Sequence, residues 1–457
     1  MSSLSIDQLC LYQRDFFRTG AIFSYKFRKS ALQNLMNSIN NYESKILRAL
    51  YLDLRKSETD AFTNEVGIIY KEIKHVLKHL KKWMSPEKTA IETFLLPGSG
   101  LIYKEPYGNT LIISPWNYPF QLVIAPLIAA ISGGNTALIK PSEFAPNTSG
   151  VITELISKNF DPQFLAVVNG GVEETKVLLK HPFDKIFFTG STAVGKLVMK
   201  AAAENLTPVA LELGGKSPAI VDRNAKLDTA AKKIVWGKFN NAGQTCIAPD
   251  YVLVDQSVAE EFIEKIKSTI IKFYGENPQS SNDYSRIINE SHVNRLSKLI
   301  DCKKVVHGGT TDPEDKFIAP TIMTNVSLDD PVMKEEVFGP ILPVLTYTTI
   351  DEAIGIIRTF TKPLALYLFT MNKKLQNRII RQISFGGGGI NTTVLHAASS
   401  YLPFGGIGHS GCGSYHGKAG FDEFTHKKSV LKQSSRLDPG LNYPGKKISL
   451  KLIRKVF

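Results

Sequence analysis

Apolar residues in the first part of the chain recur every three to four positions. Leu32, Leu35, Met36 and Ile39 are followed by Ile46, Leu47 and Leu50, a spacing that predicts helix across residues 4–55. Asp60 to Trp83 continues the pattern, with Val66, Ile69, Tyr70, Ile73 and Leu77 on one face. Pro86, Pro97, Gly98 and Gly100 then interrupt it. From Gly108 to Leu211, short apolar runs at 111–114, 137–140, 164–168, 185–188 and 209–213 alternate with helix-like segments at 121–131, 150–159, 175–180 and 193–203. Such alternation predicts parallel βαβ units in a doubly wound sheet. A second alternating stretch begins at Pro218 and passes through 251–254 and 259–273 to 362–370, which predicts a second α/β domain. After Gly386 the chain is rich in Gly, Ser and His and reads as loops rather than core. Residues 448–453 fit an exposed strand and a short amphipathic helix equally.

Composition narrows the class without naming a function. A hydrophobic share of 43% with 21% charged residues is ordinary for a globular chain and excludes a mostly disordered or fibrous one. The length of 457 residues fits two or three domains at roughly 150 residues each. Four cysteines are too few for a disulfide framework and point to a reducing, cytoplasmic compartment. The first residues show no basic segment followed by an apolar stretch, so no secretion leader is expected. The most apolar run, Leu122 to Ile131, is broken by Pro126 and falls short of the about 20 residues a bilayer requires.

The net charge is 55 − 42 = +13, but it is unevenly placed. Residues 426–457 hold nine Lys/Arg and one acid, Asp438. That concentration argues against a broad nucleic-acid face, and no nucleic-acid partner is expected. A weak peripheral contact of the basic tail with anionic membranes is the remaining reading of the charge, against that of a solvated tail.

Candidate chemistry lies at the ends of the predicted strands. Cys246 closes Asn240-Asn241-Ala242-Gly243-Gln244-Thr245-Cys246; a thiolate there is a nucleophile if activated, and a buried structural cysteine otherwise. Glu212 ends an apolar strand before Gly214-Gly215-Lys216. An acid in that crevice has a raised pKa and suits a general base; a solvent-exposed turn is the plain alternative. Thr189-Gly190-Ser191-Thr192-Ala193-Val194-Gly195 opens a helix directly after a strand, where amide groups receive a pyrophosphate or merely cap the helix. It is not the G-x-G-x-x-G fingerprint. Asn117, in Ser114-Pro115-Trp116-Asn117-Tyr118-Pro119-Phe120, offers an amide donor to an oxyanion among aromatic neighbours, or caps the next helix. Lys140 and Glu143 close another strand, and Glu335-Glu336-Val337-Phe338-Gly339-Pro340 and Pro403-Phe404-Gly405-Gly406 complete the set. Cys10, Cys302 and Cys412 show no metal-ligand spacing, so no metal is expected. His409 and His416 read as loop-packing residues.

Taken together and in this order, these motifs resemble the NAD(P)-dependent aldehyde dehydrogenase superfamily, from Pro115 to Gly411. Arg286 to Leu296 and Gly413 to Phe421 resemble its class 3 branch, which acts on fatty and aromatic aldehydes. The resemblance implies an α/β aldehyde dehydrogenase fold: a Rossmann-like cofactor domain (1–82 and 106–210), a catalytic domain (211–392), and bridging segments with the tail (83–105 and 393–457) that pair two protomers. It implies Cys246 as nucleophile, Glu212 as the base that activates water, and Asn117 with the Cys246 N–H as oxyanion donors. Lys140, Glu143, Gly190, Ser191, Val194, Gly195, Glu336 and Phe338 would hold NAD or NADP. Tyr118, Trp116 and Phe404 would shape the aldehyde pocket. Asn391-Thr392-Thr393 and the glycine-rich 385–389 depart from the class 3 pattern, which leaves the substrate's shape open. Two other readings keep the fold: coenzyme A resolving the thioester, which the presence of Glu212 disfavours, and a binding or structural protein without activity, which would require a lost catalytic residue.

Overall fold

The computed structural model describes residues 4–437, 443–445 and 449–454. Ser5 and Gln8 form a capping box that starts the helix Ile6–Arg18. The Ser24 hydroxyl caps the 30-residue helix Tyr25–Leu54, which Arg55 ends in the left-handed region. This long helix buries Leu32, Leu35, Ile39, Ile46 and Leu50, the face that the spacing predicted. The next predicted helix is not continuous. Glu58–Ala61 leads into a π turn, Phe62–Val66, and only then into Gly67–Trp83. The wider turn places Glu65 inside the protein, where its carboxylate has partners from two other segments.

Two mostly parallel sheets follow, in line with the predicted alternation, each with one antiparallel strand pair at an edge. The first has six strands in the order Gly411–Cys412, Val209–Glu212, Lys185–Thr189, Asn109–Ile113, Thr136–Lys140, Leu165–Val167. All neighbours are parallel except the first pair. Strand order reverses between Asn109–Ile113 and Lys185–Thr189, and the crevice beyond such a switch is where ligands bind. The second sheet runs Val305–His307, Thr321–Met323, Ile341–Tyr347, Tyr251–Asp255, Pro218–Val221, Ala365–Phe369, Gly387–Ile390. The central strands of both sheets are buried along their whole length, because helices cover both faces.

The segment after Gly386 departs from the loop expectation. Gly387–Ile390 is the seventh strand, parallel to Ala365–Phe369, and Gly417–Glu423 is a helix that buries Phe421. Glycine runs carry no strand propensity, so the pattern hid this strand. Here the missing side chain is required: a Cβ on Gly388 would lie 2.2 Å from the Leu366 carbonyl oxygen. Of the segment 448–453, Leu450–Ile453 is a short helix, and residue 448 lies outside the described residues. A separate three-stranded antiparallel sheet joins Glu87–Thr89, Ser99–Pro106 and Thr425–Lys432. Among the described residues, no helix is long and apolar enough to cross a membrane.

Candidate active site

The carboxyl edge of the six-stranded sheet gathers the chemistry. The strands ending at Ile113, Lys140, Thr189 and Glu212 lie side by side in the sheet, so segments far apart in sequence share one crevice. Cys246 reaches it from the other sheet, five residues before Tyr251 begins a strand. The turn that delivers the thiol is sharp: Asn241, Ala242 and Gly243 all have positive φ, at 52°, 50° and 73°. Cys246 is half-buried. Burial first, and then the Glu336 and Glu212 carboxylates, push its thiol well above the ordinary cysteine value. The amide N–H groups of Cys246 and Ile247 pull the other way, favouring the anion.

Glu212 and Cys246 line one cavity with Tyr118, Thr189, Phe404 and His416. Glu212 is 2% exposed and neither carboxylate oxygen has a hydrogen-bond partner. Burial, with a smaller contribution from Glu423, raises its pKa well above that of an exposed glutamate. This is the environment expected from an acid at the end of an apolar strand. The remaining wall is mainly apolar, with Ile68, Leu122, Trp236, Val394 and Leu395, and carries the polar Asn64, Gln121, Asn240 and Thr245. His416, read from sequence as loop packing, lies in this wall with an unpartnered Nε2.

Asn117 sits behind the cavity lining. Its Nδ2 donates to the Gln244 carbonyl at 2.9 Å, which leaves one amide hydrogen uncommitted. That bond ties the asparagine to the loop two residues before Cys246. Neighbouring Tyr118 hydrogen-bonds Thr245 Oγ1 at 2.8 Å. Trp116 is absent from the cavity lining. Its ring meets Phe338 edge-on at 5.4 Å and His292 at 5.0 Å, so the structure groups it with Phe338 rather than with Tyr118 and Phe404.

The other predicted residues occupy the same edge. Lys140 Nζ bonds Glu143 Oε2 at 2.6 Å; the lysine side chain is buried and the glutamate one-third exposed. Ser191 caps the helix Thr192–Ala203, its Oγ accepting from the Val194 N–H at 3.3 Å, within one turn of Gly195. Glu336 lies against Gly214, where a Cβ would come within 1.9 Å of Oε2. Burial and Asp250 push the Glu336 carboxyl up to about 8, while the Gly215 amide, Lys216 and Lys238 favour its charged form.

The aldehyde dehydrogenase family model matches residues 13–430. The chain belongs to the aldehyde dehydrogenase family. It is therefore an oxidoreductase acting on aldehydes. This aldehyde dehydrogenase is 49% identical over 454 residues to the 4,4'-diaponeurosporen-aldehyde dehydrogenase of Staphylococcus aureus, covering 99% of each chain. It is 46% identical to the dimeric NADP-preferring aldehyde dehydrogenase of Mus musculus, covering 93% of each. A solved substrate-bound Staphylococcus aureus aldehyde dehydrogenase superposes with a TM-score of 0.97 at 48% identity, over 99% of both chains.

Two buried ion pairs of this aldehyde dehydrogenase escaped the sequence reading. Lys216 Nζ bonds Asp250 Oδ2 at 2.5 Å and the Val332 and Glu335 carbonyls at 3.0 and 2.9 Å, while Asp250 Oδ1 accepts from the Val337 N–H. Lys216 thus clips the Glu336–Phe338 segment to the strand end beside Cys246. Its place in the Leu211–Lys216 motif was the available signal. Lys216→Met strands the Asp250 charge in the interior and should cost about 3–5 kcal/mol of stability, read from denaturant unfolding. The second pair, Lys56 and Glu65, has no signal: nine residues apart and separated by a π turn, they fit no helical pairing rule.

Proposed function

We propose that this aldehyde dehydrogenase oxidises extended apolar aldehydes to carboxylic acids with NAD or NADP, using Cys246 as nucleophile and Glu212 as base. The observation that carries the reading is the shared cavity: a half-buried thiol and a carboxylate with two unpartnered oxygens, within a mainly apolar lining. In this reading the Cys246 sulfur adds to the aldehyde carbon to give a thiohemiacetal. Its oxyanion accepts from the uncommitted Asn117 Nδ2–H and the Cys246 N–H. Fixed donors of this kind stabilise the charged transition state more than the neutral carbonyl. The chemistry a bound NAD or NADP supplies is acceptance of the hydride. Glu212 then takes a proton from the water that attacks the thioester. A carboxylate held unpartnered for this purpose supports hydrolysis over transfer to coenzyme A.

The residues at the sheet edge fit the dinucleotide. The amide groups at the start of Thr192–Ala203, beside Gly190 and Ser191, suit a pyrophosphate, and the one-third exposed Glu143 carboxylate suits a ribose diol. Glu336, cradled on Gly214, and Phe338 would hold the nicotinamide end. Glu143 repels a 2′-phosphate while Lys140 attracts one, so their pairing sets the cofactor ratio. Glu143→Ala should raise the NADP-to-NAD ratio of kcat/KM by about tenfold, the order of one charge contact at a partly exposed site. Steady-state kinetics with both cofactors checks this; an unchanged ratio removes Glu143 from the ribose.

The mainly apolar lining supports long aliphatic or aromatic substrates, and the Staphylococcus aureus relative is named for 4,4'-diaponeurosporen-aldehyde. A panel of short, long-chain and aromatic aldehydes tests it: preference for the shortest would refute the apolar reading. The proposal extends to the domain roles of the two sheets, with the three-stranded sheet as the surface that pairs two copies in a cytoplasmic dimer. Its Thr425–Lys432 strand is an edge, and edges are where strands of another chain add. The membrane reading of the tail falls partly on residues 438–442, 446–448 and 455–457, which lie outside the described residues.

A further inference from the structure

Lys56 and Glu65 form an ion pair whose side chains are both fully buried. Lys56 Nζ bonds Glu65 Oε1 at 2.5 Å and the Asn117 carbonyl oxygen at 3.0 Å. It also lies 4.0 Å from the centre of the Tyr118 ring. The second oxygen, Glu65 Oε2, accepts from the N–H groups of Phe120 and Gln121, at 2.9 and 3.1 Å. The pair therefore holds both ends of Asn117-Tyr118-Pro119-Phe120-Gln121. Such a pair is a poor device for stability, because desolvating two charges offsets most of their attraction. Apolar residues of similar size would pack this interior as well, so its position calls for another reason.

The reason lies in what the pair connects. Asn117 O accepts a second bond, from Asn241 Nδ2 at 2.8 Å, and Asn117 Nδ2 donates to the Gln244 carbonyl. The Gln244 side chain donates to the Arg286 carbonyl, and the Arg286 N–H donates to Leu54 O, two residues before Lys56. The bonds close a ring: Lys56, the asparagine loop, the cysteine loop, Arg286, and back to the end of the long helix. We propose that Lys56 and Glu65 are positioning residues for aldehyde oxidation, fixing the Asn117 amide against the Cys246 loop so that its free N–H meets the oxyanion without rearrangement. This rests on the oxyanion role given to Asn117 above. An oxyanion donor acts through placement fixed before the reaction, and a charged clamp on the donor's own carbonyl supplies that placement.

The test is a cycle of three variants: Asn117→Ala, the paired replacement Lys56→Met with Glu65→Leu, and their combination. Replacing both charges together leaves no uncompensated ion but removes the acceptor of the Phe120 and Gln121 N–H groups, so the variant should fold with a lowered melting temperature, while its affinity for NAD, measured by fluorescence titration, should match the parent. With a long-chain aldehyde and NAD, Asn117→Ala should lower kcat by about 10²–10³-fold. The paired replacement should lower kcat by about ten- to a hundredfold with KM unchanged. Added to Asn117→Ala, it should change kcat by less than about twofold, because both act through one amide. A folded paired variant with parental kcat, or one whose loss multiplies with that of Asn117→Ala, overturns the positioning role and leaves the oxyanion role standing. Parental kcat in Asn117→Ala overturns the oxyanion role, and the positioning role with it.

Discussion

Cys246→Ala is expected to abolish aldehyde-dependent reduction of NAD or NADP while the protein stays folded. The side chain is half-buried and alanine fits the same space, so unfolding should report little change. Chemistry should change greatly, because no other thiol lines the cavity among the described residues. Removing a nucleophile that acts as part of a unit costs on the order of 10⁶ in kcat. Stopped-flow absorbance of the reduced cofactor would read both the first turnover and the steady state, and both should vanish. Turnover within tenfold of the parent would contradict the nucleophile assignment. Cys10 and Cys302 are absent from the cavity lining and serve as controls, with substitution leaving the rate within about twofold.

Glu212→Gln should separate the two halves of the reaction. The amide keeps the shape of the side chain but cannot take a proton from water. The first turnover should therefore yield a burst of reduced cofactor close to one per active site. The steady-state rate should then fall by about 10²–10⁴, the contribution of a positioned base. Acid quenching after the burst should trap a thioester on Cys246, visible by mass spectrometry. Absence of a burst together with slow turnover would show that Glu212 serves the first half instead.

The pH dependence follows from the same residue with a definite sign. Burial raises the Glu212 pKa well above the ordinary carboxylate value, so the group stays protonated, and unable to accept a proton, at pH values where an exposed glutamate is already ionised. Thiol burial acts in the same direction, since the Cys246 anion also forms only as pH rises. Parental kcat should therefore rise with pH above the range where an exposed glutamate ionises. The Glu212→Gln variant should lose the part of that climb belonging to deacylation.

Much of the candidate site could be read from the chain because its residues cluster in short windows at strand ends. Glu212 closes one strand, Lys140 another, and Cys246 closes a glycine-containing turn before a third; strand followed by turn is a local pattern that survives without tertiary information. Trp116 shows the limit of such reading. Its proximity to Tyr118 in sequence suggested one pocket, yet the two residues face different partners, Phe338 for one and Thr245 for the other. Residues adjacent in a turn have no fixed common face, unlike those in a helix or a strand.

The sequence by itself determined the alternation of strands and helices behind the two sheets and the candidate residues at their edges. Each depends on periodicity over a few residues and on side-chain types at strand ends. Only the tertiary structure decided that Gly387–Ile390 is a strand, that Glu65 turns inward through a π turn to meet Lys56, and that His416 lines the cavity of Glu212 and Cys246. Each of these depends on a contact that no local periodicity encodes, or on backbone that carries no side-chain pattern. A glycine strand is specified by the Leu366 carbonyl it packs against, and a buried lysine by the carboxylate that receives it. Such choices are fixed by the requirement that buried polar groups find partners, which a linear pattern does not record.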